Sequence, residues 1–201
     1  MTEYRNRKYP RLKAYDYSLP GYYYVTVHNE RDAPCLSRIE PGDGRHRAKV
    51  ILTQAGKIAV TQLLALEERY GYVKADKYVI MPTHIHVILR LLDGVSPRPG
   101  LTEIVGAYKS LTTRAVNAAL HVSGRKQFQR SFYEAVIRNE ASYQSCWRYI
   151  DANPDRWGVR EEKEWDHRCF DENGEEKHNT STDETLRWGQ APTLHEREDK
   201  E

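Results

Sequence analysis

The run YVIMPTHIHVILRL, from Tyr78 to Leu91, is almost continuously apolar, rich in β-formers and interrupted by Met81-Pro82-Thr83. It predicts two strand segments joined at that break. Tyr22 to Val27 (YYYVTV), which follows a Pro20-Gly21 turn, predicts an earlier strand. From about Ala55 to Tyr70 the residues Ile58, Val60, Leu63, Leu64 and Leu66 suit a helix, and Leu101–Leu120 repeats Ile104, Val105, Tyr108, Leu111, Ala115 and Leu120 at helical spacing. Ser131 to Ile137 alternates as a strand. Asn139 is placed to cap a final helix, Glu140 to Ala152, which Pro154 is expected to stop. The segment Arg31 to Arg47 carries Gly, Pro and charge and reads as a long loop. The order is then β-α-β-β-α-β followed by a helix. It predicts an α+β fold, a ferredoxin-like split βαβ with an antiparallel sheet, helices on one face and an added C-terminal helix. The Tyr78–Leu91 hairpin is expected to be central or near-central in that sheet.

This pattern gives His84 and His86 a direction. Residues two apart on a strand share a face, so the two imidazoles project side by side while Ile85 and Val87 pack on the other side. Two imidazoles on one sheet face make half of a metal site. A His-x-His in a strand is equally compatible with two polar residues on a solvated face, so the pair gains meaning only from what else reaches that face.

The last helix offers such a partner. In SYQSCWRYIDANPDRW, Tyr149 and Asn153 stand four apart and share one helical face. A phenol is a possible nucleophile, and an amide oxygen is a hard ligand suited to Mg²⁺ or Mn²⁺. If the helix packs near the sheet, Asn153 can complete a three-ligand site with His84 and His86, with Tyr149 one turn away. The plainer alternative is an amphipathic helix whose Tyr and Trp are core. Among other tyrosines, Tyr143 has Trp147 at i+4, which offers no ligand, Tyr133 lies in the preceding strand, and Tyr108 falls among helix apolar residues.

Charge changes the picture next. The 201 residues carry a net +2, but residues 1–160 hold 25 Lys/Arg against 15 Asp/Glu and residues 161–201 hold 6 against 14. A near-neutral chain is thus a basic body, 1–160, followed by an acidic tail, 161–201, expected to be poorly ordered. A basic body suggests a polyanionic partner, with nucleic acid as the default. Lys109 and Arg114 on the second long helix, and Arg125, Lys126 and Arg130 before the last strand, are candidates to track a phosphate backbone. Tyr4, Tyr9, Arg5, Arg7, Lys8, Arg11 and Lys13 form a basic, aromatic arm suited to stacking and phosphate contacts. No stretch is long and apolar enough to span a membrane, and MTEYRNRKYPRLK lacks a signal-peptide core. Cys35, Cys146 and Cys169 are too scattered for a zinc pattern, and a reduced, cytoplasmic setting is the economical inference.

Four ordered blocks carry a family likeness: YPRLKAYDYSLPGYYYVTV, YVIMPTHIHVIL, LTEIVGAYKSLTTRAVN and FQRSFYEAVIRNEASYQSCWRYIDANPDRWG. From about Tyr9 to Gly158 the chain resembles the REP-associated tyrosine transposases, within the wider HUH single-tyrosine transposases of bacterial insertion sequences. Where many relatives have Asn before the first histidine, this chain has Thr83. The resemblance implies a single-stranded DNA endonuclease and strand transferase acting on hairpin-forming repeats. It implies His84 and His86 as metal ligands for Mg²⁺ or Mn²⁺, Tyr149 as the nucleophile that forms a 5′-phosphotyrosine, and Asn153 as a third ligand. Its implied partner is single-stranded or hairpin DNA; both a homodimer and a monomer occur among relatives.

Three other readings compete. A DNA hairpin-binding protein on the same fold without cleavage would be marked by loss of a catalytic residue, yet His84, His86 and Tyr149 are all present. A histidine-triad nucleotide hydrolase needs a third alternating histidine, and position 88 is Ile88. A two-histidine phosphoesterase needs two separated His-x-Ser/Thr motifs, which the chain lacks.

Overall fold

The computed structural model describes residues 15–43, 45–94 and 97–157. The tyrosine-rich run forms β1, Gly21–His28, and the histidine segment forms a hairpin of β4, Val73–Ile80, and β5, His84–Leu91. Between β1 and β4 lie β2, Ser37–Glu40, β3, Lys49–Leu52, and α1, Gln54–Tyr70. After β5 come α2, Leu101–Ala119, β6, Tyr133–Ile137, and α3, Glu140–Arg156. The main sheet has the order β4-β5-β1-β6, every neighbouring pair antiparallel. β5 thus lies between β1 and β4, which is the split βαβ expected. The strand bearing the histidines is interior, and its hairpin partner β4 is an edge.

Alternation along β1 and β5 sorts the side chains between two cores. Tyr23, Val25 and Val27 join Ile85, Val87, Leu89 and Leu91 beneath α1 and α2, with Leu63, Leu66, Ile104 and Tyr108. Each Val, Leu or Ile so buried contributes about 1.5–3 kcal/mol. On the opposite face Tyr24, Ile88 and Ile137 meet Tyr143, Trp147 and Ile150 of α3. A strand covered on both sides must be apolar at nearly every position, which is why β5 reads as a continuous hydrophobic run.

Two expectations are corrected. The loop expected over Arg31–Arg47 holds part of a two-stranded hairpin, β2–β3. Its four-residue strands are fixed by tertiary contacts: Ser37 Oγ donates to the Ile80 carbonyl at 2.8 Å, and Ile39 and Val50 pack against the α3 core. Pro154, in turn, does not stop α3, which runs to Arg156. A proline this near the end forfeits one helical hydrogen bond. The last turn is held from outside, because the Asp155 carboxylate accepts from the Ala48 amide at 2.8 Å and from Arg47.

Helix ends follow local chemistry. Thr53 caps α1 by accepting from the Gly56 amide at 3.1 Å, and Gly71 ends it at a φ of 62°, where a side chain would be strained. Asn139 caps α3 as expected, through Ser142 N at 2.8 Å. Gly56 is fixed by close approach: a Cβ there would overlap the Leu36 carbonyl. That carbonyl already accepts from Thr53 N at 3.0 Å and Thr53 Oγ1 at 3.1 Å, so it cannot yield cheaply. Gly56→Ala, which on an open helix would gain about 1 kcal/mol, is expected to lose a net ~2 kcal/mol here by overpacking, measured by urea denaturation.

The basic N-terminal arm and the acidic tail of 161–201 lie outside the described residues. Among the described residues no helix is long and apolar enough to cross a membrane. Among the described residues Cys146 keeps a free thiol.

Candidate active site

Strand register builds the site. Thr26 pairs with His86 and His28 with His84 across β1 and β5, so these side chains share the face that α3 covers. The rings of His84 and His86 stand 4.6 Å apart, centre to centre, nearly perpendicular at 70°. His86 is only 6 % exposed, and its Nδ1 has two hydroxyl partners, Tyr24 Oη at 2.8 Å and Thr26 Oγ1 at 2.9 Å. With Nδ1 engaged, Nε2 is the atom of this ring suited to ligation, and the hydroxyls hold the ring's orientation. Tyr24 also lies nearly parallel to the imidazole, its ring centre 5.7 Å away. Burial pushes its phenol well above the ordinary tyrosine value, so it serves as a neutral hydrogen-bonding group.

α3 completes the site along one stripe. The Tyr149 ring meets His86 edge-on at 5.3 Å and Tyr24 at 6.2 Å. Two turns later Trp157 packs 5.8 Å from His84. Asn153, buried at 9 % exposure, lies between Tyr149 and Trp157 in the chain, one turn on from Tyr149. Of the residues expected from sequence to form the site, His84, His86 and Tyr149 are brought into ring contact, and Asn153 lies on the same helix face as Tyr149.

The register adds a third imidazole, His28, whose ring centre is 5.4 Å from His84. Tyr24, Thr26 and His28 were hidden to sequence reasoning, although YYYVTVH does place them on one face; pairing them with β5 requires the register itself. Among the described residues no group of three or more His, Cys, Asp and Glu side chains could hold a metal ion. The candidate donors are the two imidazoles, with the Asn153 amide on the helix that covers them. Donors of these types would suit a divalent ion.

A charged network anchors α3 to the sheet. Lys77, 5 % exposed, donates to Asp151 Oδ1 at 2.8 Å with its ammonium 3.6 Å above the Trp147 ring centre. Arg47 donates to Asp151 Oδ2 at 2.6 Å, to Asp155 at 2.8 and 2.9 Å, and to the Asp151 carbonyl. Burial pushes the Asp151 carboxyl upward, but the hydrogen bonds and charges of Lys77 and Arg47 outweigh it and hold it below its ordinary value. For Lys77 burial dominates, and its ammonium sits below the ordinary lysine value. Sequence spacing gives no hint of this network, whose members lie 74 and 104 residues apart.

The expected DNA contacts also gather. Lys109, Arg114, Lys126 and Arg130 line one open groove of about 290 Å³ between α2 and the segment before β6. Arg125, the fifth expected contact, is not part of the groove lining; its carbonyl accepts from Asn117 Nδ2 at 2.9 Å. Lys109 donates to the Arg130 carbonyl at 2.9 Å, so its ammonium also tethers the groove wall. The wall adjoins the site strand: Gln129 N donates to the His28 carbonyl at 2.9 Å.

No protein-family model matches the chain. An uncharacterised protein of Haemophilus influenzae is 26 % identical over 173 residues, covering 76 % of this chain and 90 % of that protein. Among solved structures, a REP-associated tyrosine transposase bound to a REP hairpin is similar at a TM-score of 0.54 and 19 % identity. That match covers 94 % of this chain and 100 % of that one. The α+β fold described above is the fold of that transposase.

Proposed function

We propose that this chain is a REP-associated tyrosine transposase: a metal-dependent single-stranded DNA endonuclease and strand transferase acting on hairpin-forming repeats. The observation that carries this reading is the stripe of α3 laid over the histidine pair, with Tyr149 against His86 and Trp157 against His84. A nucleophile-type side chain beside two ligand-type side chains, on a fold shared with a hairpin-bound transposase, supports phosphoryl transfer to tyrosine. The basic groove that adjoins β1 supports a nucleic-acid substrate.

In this mechanism Tyr149 Oη attacks the scissile phosphorus as the bond to the 3′ oxygen breaks. The phenol proton leaves, the 3′ oxygen is protonated, and a 5′-phosphotyrosine remains. A second 3′-hydroxyl then attacks that phosphorus, rejoins the strands and returns the proton to Tyr149, with the number of phosphate ester bonds unchanged. A phenol of ordinary pKa near ~10 costs about 4 kcal/mol to ionise at neutral pH. The buried rings of Tyr24 and His86 fix the Tyr149 ring, so the attacking oxygen is positioned in advance. When bound by His84 and His86, with the Asn153 amide oxygen as third donor, Mg²⁺ or Mn²⁺ supplies charge neutralisation at the phosphate.

The test uses labelled single-stranded hairpin DNA taken from repeats beside the protein's own gene, incubated with Mn²⁺ or Mg²⁺. A covalent protein–DNA band on a denaturing gel, absent with chelator, is the expected result. Tight binding without a band, on DNA that includes the cleavage junction, would replace this reading with a hairpin-binding protein that does not cleave. The two hydroxyls on His86 make a further prediction. Tyr24→Phe combined with Thr26→Val is expected to weaken Mn²⁺ affinity about 10–100-fold, measured by calorimetric titration, with the histidine ligands intact.

A further inference from the structure

Tyr133 begins β6, which ends the sheet on the side opposite β4 among the described residues, and is 38 % exposed. A single exposed aromatic residue ordinarily asks for no explanation. This one has a particular address. It pairs with Thr26, the residue that touches His86 Nδ1, and therefore lies on the active-site face. Its ring meets Tyr24 edge-on at 6.2 Å, and Tyr24 in turn meets both His86 and Tyr149. Its chain neighbour Phe132 belongs to the opposite face, where the Lys109 ammonium lies 5.9 Å from the ring centre. Arg130 lines the basic groove just before it. The start of β6 is thus the corner between the groove and the reacting groups.

We propose that Tyr133 is a base-stacking platform, which takes the face of an unpaired nucleobase flanking the scissile phosphate as the single strand turns from the groove into the active site. The proposal rests on the single-stranded DNA reading above and adds the subsite that holds the flank. Chemistry favours a base over other ligands there. An exposed aromatic beside a cationic track is the combination that binds single strands, and stacking is tolerant of base identity. A duplex offers no free base face to such a platform. The ring does not need its hydroxyl for this role.

The experiment places 2-aminopurine at successive positions of the single-stranded flank of a hairpin and follows its fluorescence on binding to the full-length protein. One position is expected to be quenched, with the quench lost in Tyr133→Ala and kept in Tyr133→Phe and Tyr133→Trp. Affinity for the flanked hairpin should fall about tenfold in Tyr133→Ala, the loss of roughly one stacked base, while affinity for a blunt hairpin and the melting temperature stay unchanged. Equal quenching and affinity in Tyr133→Ala would overturn the platform, and an adduct still forming in that variant would leave the transferase reading standing. A Tyr133-dependent quench without any adduct would support the platform and remove cleavage. Loss of affinity in Tyr133→Phe equal to that in Tyr133→Ala would assign the effect to the hydroxyl and overturn stacking. Failure to bind any single-stranded hairpin would overturn both.

Discussion

Tyr149→Phe is expected to abolish the covalent protein–DNA adduct while hairpin affinity changes by no more than about twofold. The substitution removes one oxygen, the atom that joins phosphorus, and keeps the ring that packs on His86 and Tyr24. Two buried phenols nearby are otherwise engaged. Tyr24 bonds to His86 Nδ1 and is held protonated by burial. Tyr143 donates to the Asp76 carboxylate at 2.7 Å and is likewise pushed up by burial. The loss should therefore be on the order of a thousandfold or more, as when the atom that makes the bond is deleted. The gel assay measures it directly. An adduct that persists in Tyr149→Phe would transfer the nucleophile to another residue and sink the assignment.

Asp151→Ala is expected to destabilise the fold by about 3 kcal/mol, because it takes a carboxylate partner away from a buried ammonium rather than merely deleting a contact. Lys77 is 5 % exposed, with its ammonium over the Trp147 ring. The partners should behave differently. Lys77→Met replaces the ammonium by an apolar chain of similar length and should be near neutral. Arg47→Ala should cost about 1 kcal/mol or less, since its side chain is 55 % exposed. That asymmetry, read from urea denaturation of the three variants at neutral pH, separates a buried-charge penalty from general loosening of α3. Equal losses in all three would discard it. The pH dependence follows from the direction at Asp151. Its carboxyl is held below the unfolded value, so its stabilising contribution is present above about pH 4 and is lost as pH falls through the folded value.

Much of the fold was legible because long periodic segments carry it. The seventeen residues of α1 and nineteen of α2 span enough turns for their apolar stripes to stand out, and β1 and β5 are each eight residues long. The β2–β3 hairpin was not, because SRIE and KVIL each contain only two periods of a strand and owe their pairing to Ile80 and to α3. Pro154 misled for the opposite reason: its local signal is strong, but Arg47 and Ala48 secure the turn it weakens. Within the site, periodicity put His84 with His86 and Tyr149 with Asn153. What brought Tyr149 to the histidines was packing of α3 on the sheet, and what surrounded them, Tyr24, Thr26 and His28, was strand register. Neither is written in the spacing of any single segment.

The two-sided burial of β5 ties chemistry to folding fidelity. Were this strand to pair one residue out of step, Ile85 and Val87 would turn toward α3 and both histidines would be driven under α1 and α2, among Val25, Leu63 and Ile104. Such a chain would forfeit its candidate site and its main core together. A misassembled molecule therefore lacks the site and is unstable as well, so proteolysis should remove it, and the protein that survives in a preparation should be the protein whose site is formed.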